Sequence, residues 1–236
     1  MYKGIYIALS GAVLKQKQME VITQNLANVS TSGYKKSSIS FEDYLMTKDR
    51  FDKRLDERFM SHMSSYKVDF SSGNLIHTGN PLDIALDGNG FIALEGNLYT
   101  RRGDLRKDGD GFLTSYSGIK VLGKNGPIKL PKGTEIYINE SGAIFVDGVE
   151  IDSIQIVDFP QKENLLKSGK ETFSTTDNPI KAKAIIKEGY LETSNVDIVM
   201  EMFRMIETLR EFETYQKAIQ MFDEASAKVN NEIARI

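Results

Sequence analysis

Residues 196–236 read VDIVMEMFRMIETLREFETYQKAIQMFDEASAKVNNEIARI, with no Gly or Pro anywhere in the stretch. Stepping through Ile198, Met202, Met205, Leu209, Phe212, Tyr215, Ile219, Phe222, Ser226, Val229, Ile233 and Ile236, every step is three or four residues, and only Ser226 is neither apolar nor aromatic. That spacing places them on one face of a single long helix. Ser194 or Asn195 is the expected N-cap. Threes and fours alternate except at Leu209–Phe212–Tyr215, where two threes in succession would overwind a coiled coil. At 1.5 Å per residue the helix is about 60 Å long. A domain of roughly 130 residues is only about 30 Å across, so much of the helix must project beyond one. A second apolar row, Val199, Phe203, Ile206, Ala218, Met221 and Ala225, runs beside the first. One partner helix cannot cover both rows, so further neighbours are expected.

The other end of the chain carries a shorter seam: Ile5, Leu9, Ala12, Gln16, Met19, Ile22, Leu26 and Val29. A helix from Tyr2 to Ala27 or Asn28 follows. Lys3 and the run GIYIALSGAVL also look like a secretory signal. The run is too short to span a bilayer, and the apolar spacing continues beyond it to Val29, which favours a retained helix. Two seams at opposite ends of one chain predict pairing as a coiled coil; the alternative is that each packs on the middle of the chain.

That middle, residues 70–190, alternates short β-rich runs (LDIAL, GFIAL, IKVL, EIYI, AIFV, IQIV) with Asp-Gly and Asn-Gly turns. Such dipeptides supply the positive φ that tight hairpins need. The expected fold class is α+β: terminal helices paired as a coiled coil, with an antiparallel all-β domain inserted between them. The expected domains are 1–34 (helix and turn), 35–69 (connection), 70–190 (β domain) and 191–236 (C-terminal helix). The connection mixes acids and bases over residues 46–66, where Phe51, Leu55, Phe59 and Met63 recur every four residues. A short amphipathic helix and a solvated excursion fit equally well.

Little here points to catalysis. Gly88-Asn89-Gly90-Phe91-Ile92-Ala93 matches a dinucleotide pattern, but a hairpin and not a helix should follow it. Asp87 and Asp108 open calcium-like loops whose twelfth positions, Leu98 and Ile119, cannot ligate. His62 and His77 stand alone, and there is no Cys. No catalytic, cofactor-binding or metal-binding residue is expected. Arg101-Arg102 could grip a phosphate or carboxylate, but such a pair is more often a solvated strand edge or a subunit contact. The net charge of −3 gives no case for nucleic acid or an anionic membrane.

Residues 25–38, NLANVSTSGYKKSS, pose a different question, because a helix ends there in small polar residues and one glycine. Gly33 can take the positive φ that redirects the chain. Asn28, Ser30, Thr31 and Ser32 can form local turns. Tyr34 can pack with its hydroxyl wet, while Lys35 and Lys36 suit a helix C-terminus or an acidic neighbour.

Here the chain resembles the bacterial flagellar rod and hook protein family, over nearly its whole length. Asn28, Thr31, Gly33, Tyr34 and Lys35 match the family's rod signature. TGNPLDIALDGNGFIAL, YTRRGDLRKDGDGFLTS and GIKVLGKNGPIKLP look like its central motifs, and GYLETSNVDIVMEMFRMIETLREFETYQKAI like its C-terminal segment. Residues 67–82 and IQIVDFP most resemble the proximal-rod type. The distal-rod type is the near alternative, although Leu209-Arg210 departs from the usual Gln-Arg. The resemblance implies a structural, torque-transmitting subunit and no enzyme. It implies residence in the periplasmic rod of the basal body, and export by the flagellar apparatus without a cleaved signal. It implies partners among other rod proteins and copies of the chain, with helices in an inner tube and the β domain outside. The assembly residues would be the signature and the seam Ile198, Met202, Met205, Leu209, Phe212, Tyr215, Ile219, Phe222, Val229 and Ile233. From the residues alone, the rival reading is an adhesin or carbohydrate-binding β domain on a helical stalk.

Overall fold

A computed structural model describes residues 2–39, 66–133, 135–169 and 171–233. The charged stretch read over residues 46–66 lies outside these but for Tyr66, as do the side chains of Val229 and Ile233. The chain forms two compact units. One comprises Met1–Ala27, Ser37–Asp69 and Asp197–Ile236; the other comprises Asn28–Lys36 and Phe70–Val196.

The first unit holds the helices α1 (Tyr2–Ala27) and α2 (Ile198–Ile233). They run antiparallel. Gly4 faces Phe222, Gly11 faces Tyr215, Lys15 pairs with Glu211 at 2.5 Å, and Asn25 donates to Glu201 at 3.1 Å. Each advance along α1 is matched by an equal retreat along α2. A Cβ on Gly11 would lie 2.5 Å from the Tyr215 ring, and one on Gly4 2.6 Å from Phe222. Glycine thus lets the rings approach the α1 backbone this closely. Ala8 and Ala12 are buried on the same face, whereas Leu9 is 45% exposed. The contact face is thus rotated from the row of bulky residues, because small residues admit the aromatic rings of α2.

The N-cap of α2 is Asp197, not Ser194 or Asn195. Its carboxylate accepts from the Met200 amide at 3.1 Å and its carbonyl from the Glu201 amide at 3.0 Å. Asn25 is buried and exchanges two hydrogen bonds with the backbone of Ser37, at 2.8 and 3.0 Å. This fixes the strand Ser37–Ile39, which pairs antiparallel with Tyr66–Val68.

In the second unit the described strand pairs are antiparallel, and a 3-10 turn covers Lys162–Asn164. Its largest sheet has six strands in the order Leu166–Lys167, Thr172–Ser174, Leu98–Thr100, Phe91–Leu94, Ile156–Asp158, Ile180–Lys181. Phe91–Leu94 is buried at every residue, as expected of a strand covered on both faces. A three-stranded meander (Ile136–Ile138, Ala143–Val146, Val149–Ser153) turns at Asp147-Gly148, both at positive φ. Two further pairs join Ile185–Glu188 to Ile84–Asp87 and Tyr190–Glu192 to Leu75–His77. Aliphatic residues such as Ile84, Leu94, Leu113, Ile128, Ile144 and Ile186 form the core. Phe70, Phe91, Phe159, Phe173 and Tyr99 form an aromatic cluster with ring centroids 4.8–6.2 Å apart. Gly88-Asn89-Gly90 leads into this strand and no helix, so no helix N-terminus is there to receive a pyrophosphate. The Asp108 carboxylate accepts the amides of Asp110 and Phe112 and so braces its own turn.

Candidate assembly site

The rod-signature segment, Asn28–Lys36, belongs to the β unit. It starts with a local turn, in which the Thr31 amide donates to the Asn28 carbonyl at 3.0 Å and the Tyr34 amide to the Thr31 carbonyl at 3.3 Å. Gly33 sits at φ +65° and donates its amide to the Glu192 carbonyl at 2.8 Å. A Cβ there would lie 2.6 Å from the Arg101 carbonyl group and 2.7 Å from the Arg102 nitrogen. Backbone cannot yield as a flexible side chain can, so conformation and close approach both select glycine.

Just beyond Gly33, Tyr34 and Lys35 are buried. Tyr34 is 3% exposed, and the Lys167 ammonium lies 4.1 Å from its ring centroid, a cation–π contact. Lys167 also donates to the Lys35 carbonyl at 2.7 Å. Burial pulls the Lys167 pKa from 10.5 down to about 8. The Lys35 ammonium is 2% exposed and donates at 2.7 Å to both the Glu192 carboxylate and the Ser71 carbonyl. The acidic neighbour of Lys35 is therefore Glu192.

Glu192 is the hub. Its Oε1 accepts from Lys35 and, at 2.8 Å, from the Gly73 amide; its Oε2 accepts from Arg101 Nε at 2.6 Å. Burial on its own would raise the Glu192 pKa, but the charges of Arg101 and Lys35 overcome it and hold the carboxyl below its ordinary value. Three of Arg101's other donors go to the carbonyls of Leu86, Gly88 and Gly90, at 2.6–2.8 Å. Five per cent exposed, it is neither a solvated edge nor a surface contact. A guanidinium carries enough fixed donors to satisfy a carboxylate and three carbonyls together, which an ammonium does not. Arg102 is the outer member of the pair, bound to Asp104 and Glu171 and lying 3.7 Å from the Tyr116 ring centroid. Asn195 completes the site: its Oδ1 accepts the Lys36 amide at 2.8 Å and its Nδ2 donates to Ser71.

Four stretches singled out in the sequence thus meet here: the signature, DIALDGNG, YTRRGD and LETSNV. The signal available in the sequence was an acid within LETSNV and an arginine within YTRRGD; nothing in either stretch says that they face each other.

The seam on α2 divides. Met205, Phe212, Tyr215, Ile219 and Phe222 are half-buried. Ile198, Met202 and Leu209 are 45–54% exposed, and Glu201 and Thr208 take the buried positions beside them. Val199, Met200, Phe203 and Ile206 are exposed as well. No described helix is long and apolar enough to cross a membrane.

Three family models match successive parts of the chain. The family model described as flagella basal body rod protein matches residues 5–35. Residues 85–146 match the flagellar hook protein FlgE/F/G D1 domain, and residues 187–232 the C-terminal part of the flagellar basal body rod FlgEFG proteins. The flagellar basal-body rod protein FlgG of Bacillus subtilis is 30% identical, covering 98% of this chain and 99% of its own. FlgF of Mesorhizobium japonicum is 30% identical over 90% of each chain, and FlgF of Escherichia coli 29% over 98% of each. FlgF and FlgG thus match equally well, and identity does not separate the proximal from the distal type.

Proposed function

Because the chain belongs to the flagellar basal-body rod proteins, a family of structural and not enzymatic proteins, we propose that it is a rod subunit that carries torque by side-by-side packing of its terminal helices. In this reading α1 and α2 pair as a coiled coil, and their outer apolar residues pack on helices of adjoining rod proteins or copies of the chain. The β unit sits outside that inner tube. The chain leaves the cell interior through the flagellar export apparatus and keeps its N-terminal helix. The adhesin alternative has no support in these relatives.

One observation carries the proposal. The first four turns of α2 leave Ile198, Val199, Met202, Phe203, Ile206 and Leu209 exposed, in two adjoining rows. Removing such side chains from water is worth roughly 1.5–3 kcal/mol each when burial is complete. An isolated subunit forgoes that gain and an assembly collects it.

The test is the pair Met202→Asp and Phe203→Asp. Both residues are exposed in the single chain, so the two changes together should alter its unfolding free energy by no more than about 1 kcal/mol. Incorporation into rods, and with it swimming, should fail. Wild-type motility in the double variant would reject the helix-packing proposal.

A further inference from the structure

The contacts made by residues 33–36 are those of a bound peptide. Besides the local Tyr34–Thr31 bond, their contacts include partners from residues 71–195, far along the chain, and each of these recognises a different feature of the segment. The Arg101–Arg102 backbone leaves no room for a Cβ at Gly33. Lys167 caps an aromatic face, and Ser71 and Glu192 share one ammonium. Asn195 reads a backbone amide by its side chain, and the Glu192 carbonyl reads another. The socket is also braced without the segment, since Arg101 and the Gly73 amide hold the Glu192 carboxylate in place.

We propose that the β unit carries a peptide-binding site for Gly–aromatic–Lys segments, filled by the chain's own residues 33–35 and able to take the same segment from a second copy of the chain. The non-covalent contacts do not depend on which chain supplies the segment, the condition under which identical elements exchange between protomers. In an isolated chain the tethered segment holds the site, because tethering gives it an effective concentration on the order of millimolar. This goes beyond the rod reading, and its test involves no rod partner.

The probe is a fluorescently labelled decapeptide, NVSTSGYKKS, which copies residues 28–37. The receptor is the full chain with its own segment disabled by Gly33→Val and Lys35→Met. Saturable binding is expected, at least tenfold tighter than to the wild-type chain. Changing the peptide's glycine to valine or its first lysine to methionine should each weaken binding at least tenfold, as should adding Glu192→Gln to the receptor. Should the double variant lose its β structure, the readout becomes recovery of its thermal transition on adding peptide, measured beside the milder Lys35→Met chain. Neither binding nor recovery, or binding indifferent to those peptide changes, overturns the proposal.

Discussion

Glu192→Gln is the sharpest single perturbation of the β unit. The substitution keeps the side chain's size and removes only its charge. Glu192 now faces two cations, Lys35 at 2.7 Å and Arg101 at 2.6 Å, from opposite carboxylate oxygens. An amide has one oxygen and one NH2, so one of the cations must meet a donor. Lys35 retains Ser71 as an acceptor and Arg101 retains three carbonyls, so neither is stripped of hydrogen bonds. Both nevertheless remain buried without a counter-charge, and breaking a buried pair in this way costs about 3–5 kcal/mol. At about 4 °C per kcal/mol for a unit of this size, the melting temperature of the β unit should fall by roughly 12–20 °C. Urea titration followed by circular dichroism in the β region measures the free energy directly. A double-mutant cycle with Lys35→Met should then show a coupling energy above about 1 kcal/mol, since each single change already breaks the same pair. A loss below about 1 kcal/mol for Glu192→Gln, or strict additivity in the cycle, would refute the assignment of Glu192 as the hub.

Gly33→Ala should cost more than about 2 kcal/mol in the same titration, because left-handed backbone alone costs an alanine roughly 1–2 kcal/mol and the Arg101–Arg102 contact adds to it. Gly11→Val should lower the helical melting transition and leave the β transition in place, since the atoms nearest its Cβ belong to the Tyr215 ring of the same unit. Because the folded Glu192 pKa lies below its ordinary 4.5, the stabilisation from this carboxylate is whole above pH 4.5 and fades as pH falls through the folded value. Wild-type stability should drop in that acid window, and Glu192→Gln should lack this contribution. Lys167 acts at the other end of the scale: its pKa is 10.5 unfolded and about 8 folded, so the unfolded chain holds the extra proton between them. Wild-type stability relative to Lys167→Met should therefore rise from pH 8 to pH 10.5, as unfolding free energies across that range will test.

Periodicity alone determined the two helices. The three-and-four spacing runs unbroken through both, without Gly or Pro in α2, and α1 ends at Ala27, one of the two ends its spacing allowed. Asp-Gly and Gly-Asn pairs likewise fixed turns such as Asp147-Gly148 and Gly96-Asn97, because few residues reach positive φ without strain. Which helix face meets which was a tertiary decision. The row through Leu9 and Met202 is more apolar, yet the helices meet through Gly4, Ala8, Gly11, Glu201 and Thr208. Packing rewards the fit of a ring against a bare backbone, and a count of apolar residues does not contain that fit. The glycine and aromatic of the signature were legible as a turn, but their socket was not. Lys35, Arg101 and Glu192 are separated by long stretches of chain, and a charged residue looks the same in a sequence whether it ends in water or in the interior. Only the fold, by burying three charges within hydrogen-bond reach of one another, made them a single object.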